Sequence, residues 1–163
     1  MKKTLSLATL LVLLMSLVTM PALADVRPED TPPEALISDN LNSSYVTWIN
    51  PAPETRTADL KIIALSAGIS KTGSSSVSGS ILISTNEAAD IYGALTVQQY
   101  EDGAWHGIET KISLAFNESS ANWTKSFSVE SNYYYRIKGH GMAEQSGGFT
   151  ATRTAYTKSI LVN

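Results

Sequence analysis

The sequence predicts an all-β protein, and three observations predict it. From Leu60 onward, apolar and polar residues alternate in short runs separated by turn residues, which is the period of half-buried strands. No stretch there sustains an apolar period of 3.6, which argues against a helical core. Between two of the runs stands Asp102-Gly103, the strongest short-range signal for a two-residue hairpin. The runs count to about seven antiparallel strands, the number found in fibronectin-like and immunoglobulin-like β-sandwiches.

Two segments precede the strands. Lys2 and Lys3, an apolar run from Leu5 to Met20 and the exit Pro21-Ala22-Leu23-Ala24 have the order of a secretory signal peptide cleaved after Ala24. Residues 1–24 are therefore expected to be a leader, and the mature protein is expected outside the cytoplasm. The apolar run is short for a bilayer span of about 20 residues, and there is no cysteine to carry a lipid at the cleavage site, so no membrane anchor is expected. Residues 25–59 form an acidic, proline-rich arm. It holds seven acids (Asp25, Glu29, Asp30, Glu34, Asp39, Glu54, Asp59) against Arg27 and Arg56, and five prolines at 28, 32, 33, 51 and 53. Residues 60–163 hold eight acids, eight Lys or Arg and no proline, as befits a neutral folded domain. The chain has no cysteine, so this domain must stand on apolar burial alone, which about 100 residues can provide. An acidic chain without a Lys/Arg cluster lacks the basic patch that displaces counterions, which argues against nucleic acid and anionic membrane surfaces as ligands.

The elements follow in order. Ser44-Tyr45-Val46-Thr47-Trp48-Ile49, inside the arm, has strand-forming composition and reads as an edge strand laid on the domain, with a partner-binding segment as the alternative. Ile63, Leu65, Ala67 and Ile69 share one face of a first domain strand. Lys71 to Ser75 turns the chain, and Val77, Gly79, Ile81 and Ile83 line a second strand. A third places Ile91, Gly93, Leu95 and Val97 inward. With Asp102-Gly103 as a type I′ turn, Glu101 faces Ala104, Tyr100 faces Trp105 and Val97 faces Ile108. Val97 and Ile108 then point into the core while Tyr100 and Trp105 share the outer face, an aromatic pair contributing about 0.2–1 kcal/mol. Phe127 and Val129 point inward before Glu130-Ser131-Asn132 reverses the chain. Tyr133, Tyr135, Ile137 and Gly139 take one face of the next strand, and Tyr134, Arg136, Lys138 and His140 the other. After Gly147-Gly148, a last strand runs from Phe149 to Tyr156.

Through Tyr133-Tyr134-Tyr135-Arg136-Ile137-Lys138-Gly139-His140-Gly141, with Gly103-Ala104-Trp105 upstream, the chain resembles a family of small secreted, cysteine-free β-sandwich proteins of Gram-positive bacteria that has no assigned function. The resemblance covers Leu60 to the C-terminus. It implies the β fold and a secreted location, and it carries no catalytic residues. A second likeness, to the tyrosine strand of fibronectin type III domains, implies that Tyr133 is a corner residue whose hydroxyl bonds the backbone.

Catalytic motifs are missing from the sequence. Its two histidines, His106 and His140, lie in no recognisable constellation, and there is no Gly-x-Ser-x-Gly elbow. His106 reads as a hydrogen-bonded histidine at the core edge near Gln99. There is no His-Glu-x-x-His, calcium loop or phosphate-cradling glycine loop, so neither a metal nor a cofactor is expected. The Asn-x-Ser/Thr triplets at Asn42, Asn117 and Asn122 read as loop sequence. Glu101, Glu109, Glu118 and Glu130 are candidates for a glycosidase pair, which needs carboxyls about 5–9.5 Å apart; sequence does not pair them.

One surface points to recognition. If the hairpin and the Tyr133 strand share a sheet, its outer face gathers Thr96, Gln98, Tyr100, Trp105, Tyr134, Arg136, Lys138 and His140. Rings to stack on sugars, flanked by amide and guanidinium donors, make Gln98, Tyr100, Trp105, Tyr134, Arg136 and His140 the candidate binding residues. The plainer reading is an ordinary wetted face of strand-forming residues. The expected class is thus a secreted, non-catalytic binding or surface-interaction module for a glycan, a cell-wall polymer or a protein. The alternatives are a small secreted hydrolase with a carboxylate pair and a self-associating envelope protein that pairs through Tyr45 to Ile49.

Overall fold

A computed structural model describes residues 42–49, 60–145 and 148–163. The expected leader, the arm outside 42–49 and Gly147 lie outside the described residues. The strands are β1 (Ser43–Ile49), β2 (Ile62–Gly73), β3 (Ser76–Glu101), β4 (Ala104–Ser128), β5 (Tyr133–Gln145), β6 (Phe149–Tyr156) and β7 (Ile160–Val162), with no helix among the described residues. All pairings are antiparallel, and they join the seven strands in one sheet of order β1-β2-β3-β5-β6, with β4 bonded to β3 and β7 to β5. The all-β, seven-stranded antiparallel expectation holds, and the segment around Tyr45 is an edge strand, β1 on β2. The pairing describes a single curled sheet and does not itself establish an immunoglobulin-like sandwich.

The segmentation differs from expectation at two places. The runs expected as a second and a third strand are one strand, β3, and the hairpin return and the Phe127 run are likewise one strand, β4. Alternation breaks in β3 at Asn86-Glu87-Ala88, which are exposed, and register with β4 lapses between Ser84 and Ala89. A second shift follows between Ala89 and Ile91, and within it Asn117 has φ 55°, a left-handed conformation that Asn tolerates better than most residues. The long hairpin thus turns a corner at one level in both strands. Its first half pairs with β2 and its second with β5, and the sheet curls until β2 packs on β5 and β6 without bonding to either.

The inside of the curl is the core. It takes Leu65, Ala67 and Ile69 from β2, Val77, Ile81, Ile83, Ile91, Leu95 and Val97 from β3, Phe127 from β4, and Tyr135, Ile137 and Ala143 from β5. Each fully buried Ile or Leu contributes roughly 1.5–3 kcal/mol. Trp123 is half-buried against this core, and its ring lies where a side chain on Gly93 would stand, 2.6 Å from the Cβ position. Ile63 is 40% exposed rather than inward, because a register shift between Ile62 and Ala64 puts Ile62 in the core instead.

The Asp102-Gly103 turn is as expected, with both residues at positive φ, 51° and 83°, and Glu101 faces Ala104, Tyr100 faces Trp105. Beyond that the register corrects the expectation. Gln98 faces Gly107, but Val97 faces Glu109, so Ile108 is an extra residue, a β-bulge. Val97 is buried, while Ile108 is 46% exposed and not in the core. Because side chains alternate with a period of two, one extra residue exchanges the faces of everything beyond it. Lys111, Ser113 and Ala115 therefore sit opposite the inward Leu95, Gly93 and Ile91, while Ile112, Leu114 and Phe116 point outward.

Candidate functional site

The register assembles the expected face. Since Leu95 and Val97 point inward, Tyr92, Ala94, Thr96, Gln98 and Tyr100 share the outer face of β3. Opposite them on β5 stand Met142, His140, Lys138, Arg136 and Tyr134, in that order. On the other flank β4 brings Leu114, Ile112 and Thr110, then Trp105 beside Tyr100. β6 extends the face with Thr152, Thr154 and Tyr156 beside Met142, His140 and Lys138. All six candidate residues, Gln98, Tyr100, Trp105, Tyr134, Arg136 and His140, thus lie on one face of one sheet.

Their roles divide. Tyr100, Trp105, Tyr134, Gln98 and His140 are half-buried. Tyr100 and Trp105 have ring centroids 5.2 Å apart and planes tilted by 59°, an arrangement the ring quadrupole favours. Arg136 is not the exposed donor that the sequence suggests, since it has 0% of its surface accessible. Its guanidinium lies 4.3 Å from the Trp105 ring centroid and 4.8 Å from that of Tyr156, and its Nε–H donates to Gln98 Oε1 at 2.8 Å. A cation held between two rings, with an amide fixing its plane, acts as a strut that sets the tilt of the indole. The amide of Gln98 is turned inward to that strut. His140 Nδ1 lies 2.8 Å from Thr154 Oγ1, and Lys138 Nζ lies 5.6 Å from the Tyr156 ring centroid.

Beneath the face, the inward Tyr135 and Gln99 are tied to the turn between β4 and β5. The Tyr135 hydroxyl accepts the Glu130 N–H at 3.1 Å and lies 2.9 Å from both the Glu130 carbonyl and Gln99 Oε1. The corner tyrosine is therefore Tyr135, and Tyr133 instead packs half-buried against the core. Burial pushes the Tyr135 phenol above its ordinary value of 10.0; its bond to the Glu130 backbone pulls it back, and the charge of Glu130 raises it further. His106 faces Gln99 in the ladder but is exposed, with Nε2 3.2 Å from the Glu101 carbonyl, so it is not a core-edge residue.

The carboxylates are spread out. Glu109 pairs with Lys111 at 3.3 Å, Glu101 lies 3.4 Å from Gln99 Nε2 in the hairpin, Glu130 sits in the β4–β5 turn and Glu118 faces Ala89 at the corner of the long hairpin. A shallow cleft at that corner, lined by Glu87, Asp90, Asn117, Glu144 and Gln145, gathers three other acids. There Asp90 accepts the Asn117 N–H at 3.0 Å and Glu87 accepts Gln145 Nε2–H at 3.2 Å. Among the described residues no group of three His, Cys, Asp or Glu could hold a metal ion.

Sequence reasoning missed Tyr156, Tyr92 and Met142 on this face, although their alternation with buried neighbours carried the signal. It also missed Ile112, Leu114 and Phe116, whose outward direction depends on the bulge. No protein-family model, curated protein or solved structure matches the chain.

Proposed function

We propose that the protein is a secreted, non-catalytic binding module that takes a glycan or cell-wall polymer on the outer face of β3, β4 and β5. The observation that carries this reading is the row Trp105, Tyr100, Tyr134, which crosses three adjacent strands at directly opposite positions. Strands about 4.8 Å apart set the three rings along a line of about 10 Å, the scale of two linked sugar rings. The strut beneath Trp105 supports the same reading, because a ring fixed before binding loses little freedom when a ligand stacks on it. Secretion rests on the leader-like residues 1–24 and on the resemblance to Gram-positive secreted proteins.

The test is a glycan array together with pull-down on insoluble cell-wall polymer, using the parent protein, Tyr100→Ala and Tyr134→Ala. The parent is expected to bind, and each variant to lose at least about tenfold in affinity, which is 1.4 kcal/mol, with an unchanged far-ultraviolet spectrum. Blank results for the parent in both assays would overturn the proposal.

A further inference from the structure

We propose that the acidic, proline-rich residues 25–41 of this chain dock on its own outer face of β3, β5 and β6 and cover the aromatic row, so that a ligand reaches the row only by displacing them. The contact is independent of whether that ligand is a glycan.

Charge singles out the face. β5 presents Arg136, Lys138 and His140 at successive outward positions, while the outward residues within Tyr92–Tyr100, Tyr134–Met142 and Thr152–Tyr156 include no acid. Two of the cations gather on one ring. The Arg136 guanidinium and the Lys138 ammonium lie 4.8 Å and 5.6 Å from the Tyr156 centroid. Arg136 has no accessible surface, so Lys138 and His140 make the contacts, and the buried guanidinium adds a field that salt screens less than that of an exposed charge. Residues 25–41 have the opposite character, with Asp25, Glu29, Asp30, Glu34 and Asp39 against Arg27 alone. Because the Debye length is about 8 Å at physiological ionic strength, acids elsewhere on the domain are screened from this face, whereas an acid laid on it is not.

Ring chemistry selects the same occupant. Pro28, Pro32 and Pro33 favour an extended conformation, and proline-rich segments dock on aromatic-lined surfaces because that form is set before binding. Trp105, Tyr100 and Tyr134 line such a surface across three strands.

The segment also starts at the right end of the molecule. The Asn42 carbonyl accepts the Lys71 N–H at 2.7 Å, and the Lys71 ammonium donates to the Asn163 main-chain oxygen at 2.6 Å. Asn163 follows Val162, which pairs with Tyr133, and Leu161 pairs with Tyr134, so the chain enters β1 at the level of the aromatic row. Residues 25–41 span up to roughly 56 Å when extended at about 3.3 Å each. The face is four strands wide at about 4.8 Å per strand, well within that reach.

A zero-length carbodiimide, which joins a carboxylate to an amine only where the two touch, tests the contact in the unmodified chain. Peptide mass mapping is expected to find Lys138 linked to acids of residues 25–41, and Lys125, opposite Gly79 in the first half of the long hairpin, not linked to them. The yield is expected to fall severalfold in 1 M salt, where the Debye length is about 3 Å. In an equal mixture of isotopically light and heavy chains the links are expected within one chain; links between light and heavy chains would overturn the proposal in favour of a second copy's arm. No link to Lys138, or equal linking to Lys125, would overturn it outright. A second readout is the indole N–H signal of Trp105 in the variant carrying Asp25→Asn, Glu29→Gln, Asp30→Asn, Glu34→Gln and Asp39→Asn. That signal is expected to shift while the signal of Trp123, packed against the core, stays in place, and an unmoved Trp105 signal would also overturn the proposal. Both measurements are made without sugar, so they fail or succeed separately from the glycan assays.

Discussion

Removing the Trp105 ring is expected to destabilise the fold far more than the loss of a half-buried surface residue would suggest, because the ring covers a buried charge. Arg136 has no accessible surface, and its guanidinium lies 4.3 Å from the Trp105 centroid. A desolvated cation–π contact of this kind contributes about 2 kcal/mol, and the tilted pair with Tyr100 at 5.2 Å adds about 0.5–1.5 kcal/mol. Trp105→Ala should therefore cost roughly 2.5–3.5 kcal/mol. At about 4–8 °C per kcal/mol for a domain of this size, Tm falls by about 10–28 °C. Urea unfolding of the parent, Trp105→Ala, Arg136→Met and the double variant separates the contact from the losses around it, with an expected coupling of about 2 kcal/mol. If the two single effects add to within about 0.5 kcal/mol of the double, the guanidinium is not held by the indole and the strut reading fails.

Two further outcomes test the interior. The folded Tyr135 phenol keeps its proton at a pH where the unfolded chain has lost it, so its contribution is complete below about pH 10 and is lost as pH rises toward the raised folded value. The urea midpoint should then fall above pH 10 more steeply in the parent than in Tyr135→Phe, which is also weaker at neutral pH by about 1–3 kcal/mol because Glu130 N–H and Gln99 lose a partner; parallel alkaline slopes would contradict this. Gly93→Ala places a Cβ 2.6 Å from Trp123 Cζ3 and should cost about 1–3 kcal/mol by overpacking. Adding Trp123→Leu should recover part of that loss in thermal melts, and no recovery would mean that the ring is not what excludes the side chain.

What could be read in the sequence was parity, and what could not was phase. Alternation identifies which residues share a face as long as the count is unbroken, which is why Val77, Ile81, Ile83, Ile91, Leu95 and Val97 are all inside as expected. The Asp-Gly turn fixed the Tyr100–Trp105 pairing for a similar reason, since a two-residue loop admits one register. Ile108 and Ile63 went astray together, each next to a register shift. Gly107 and Ile108 have no positive φ, so no glycine or asparagine requirement marked the bulge. The outer face was legible as a set of strand positions. The burial of Arg136 on that face was not, because it depends on Tyr156 arriving from β6, a strand whose neighbour local sequence does not specify. Tyr133 and Tyr135 share a parity, and only the position of the Glu130 turn decides which hydroxyl reaches it.

The corner in the long hairpin has a consequence for how the chain acquires its structure. Because β3 and β4 each run through both halves of the curl, neither half possesses a complete set of strands that could be excised and still close. The hairpin can zip from the Asp102-Gly103 end, where its partners are near neighbours along the chain and ordering costs least. β2 and β5 then dock onto a spine that already exists. Opening one half strips the other of its central strand, so the curl is expected to melt as one cooperative unit.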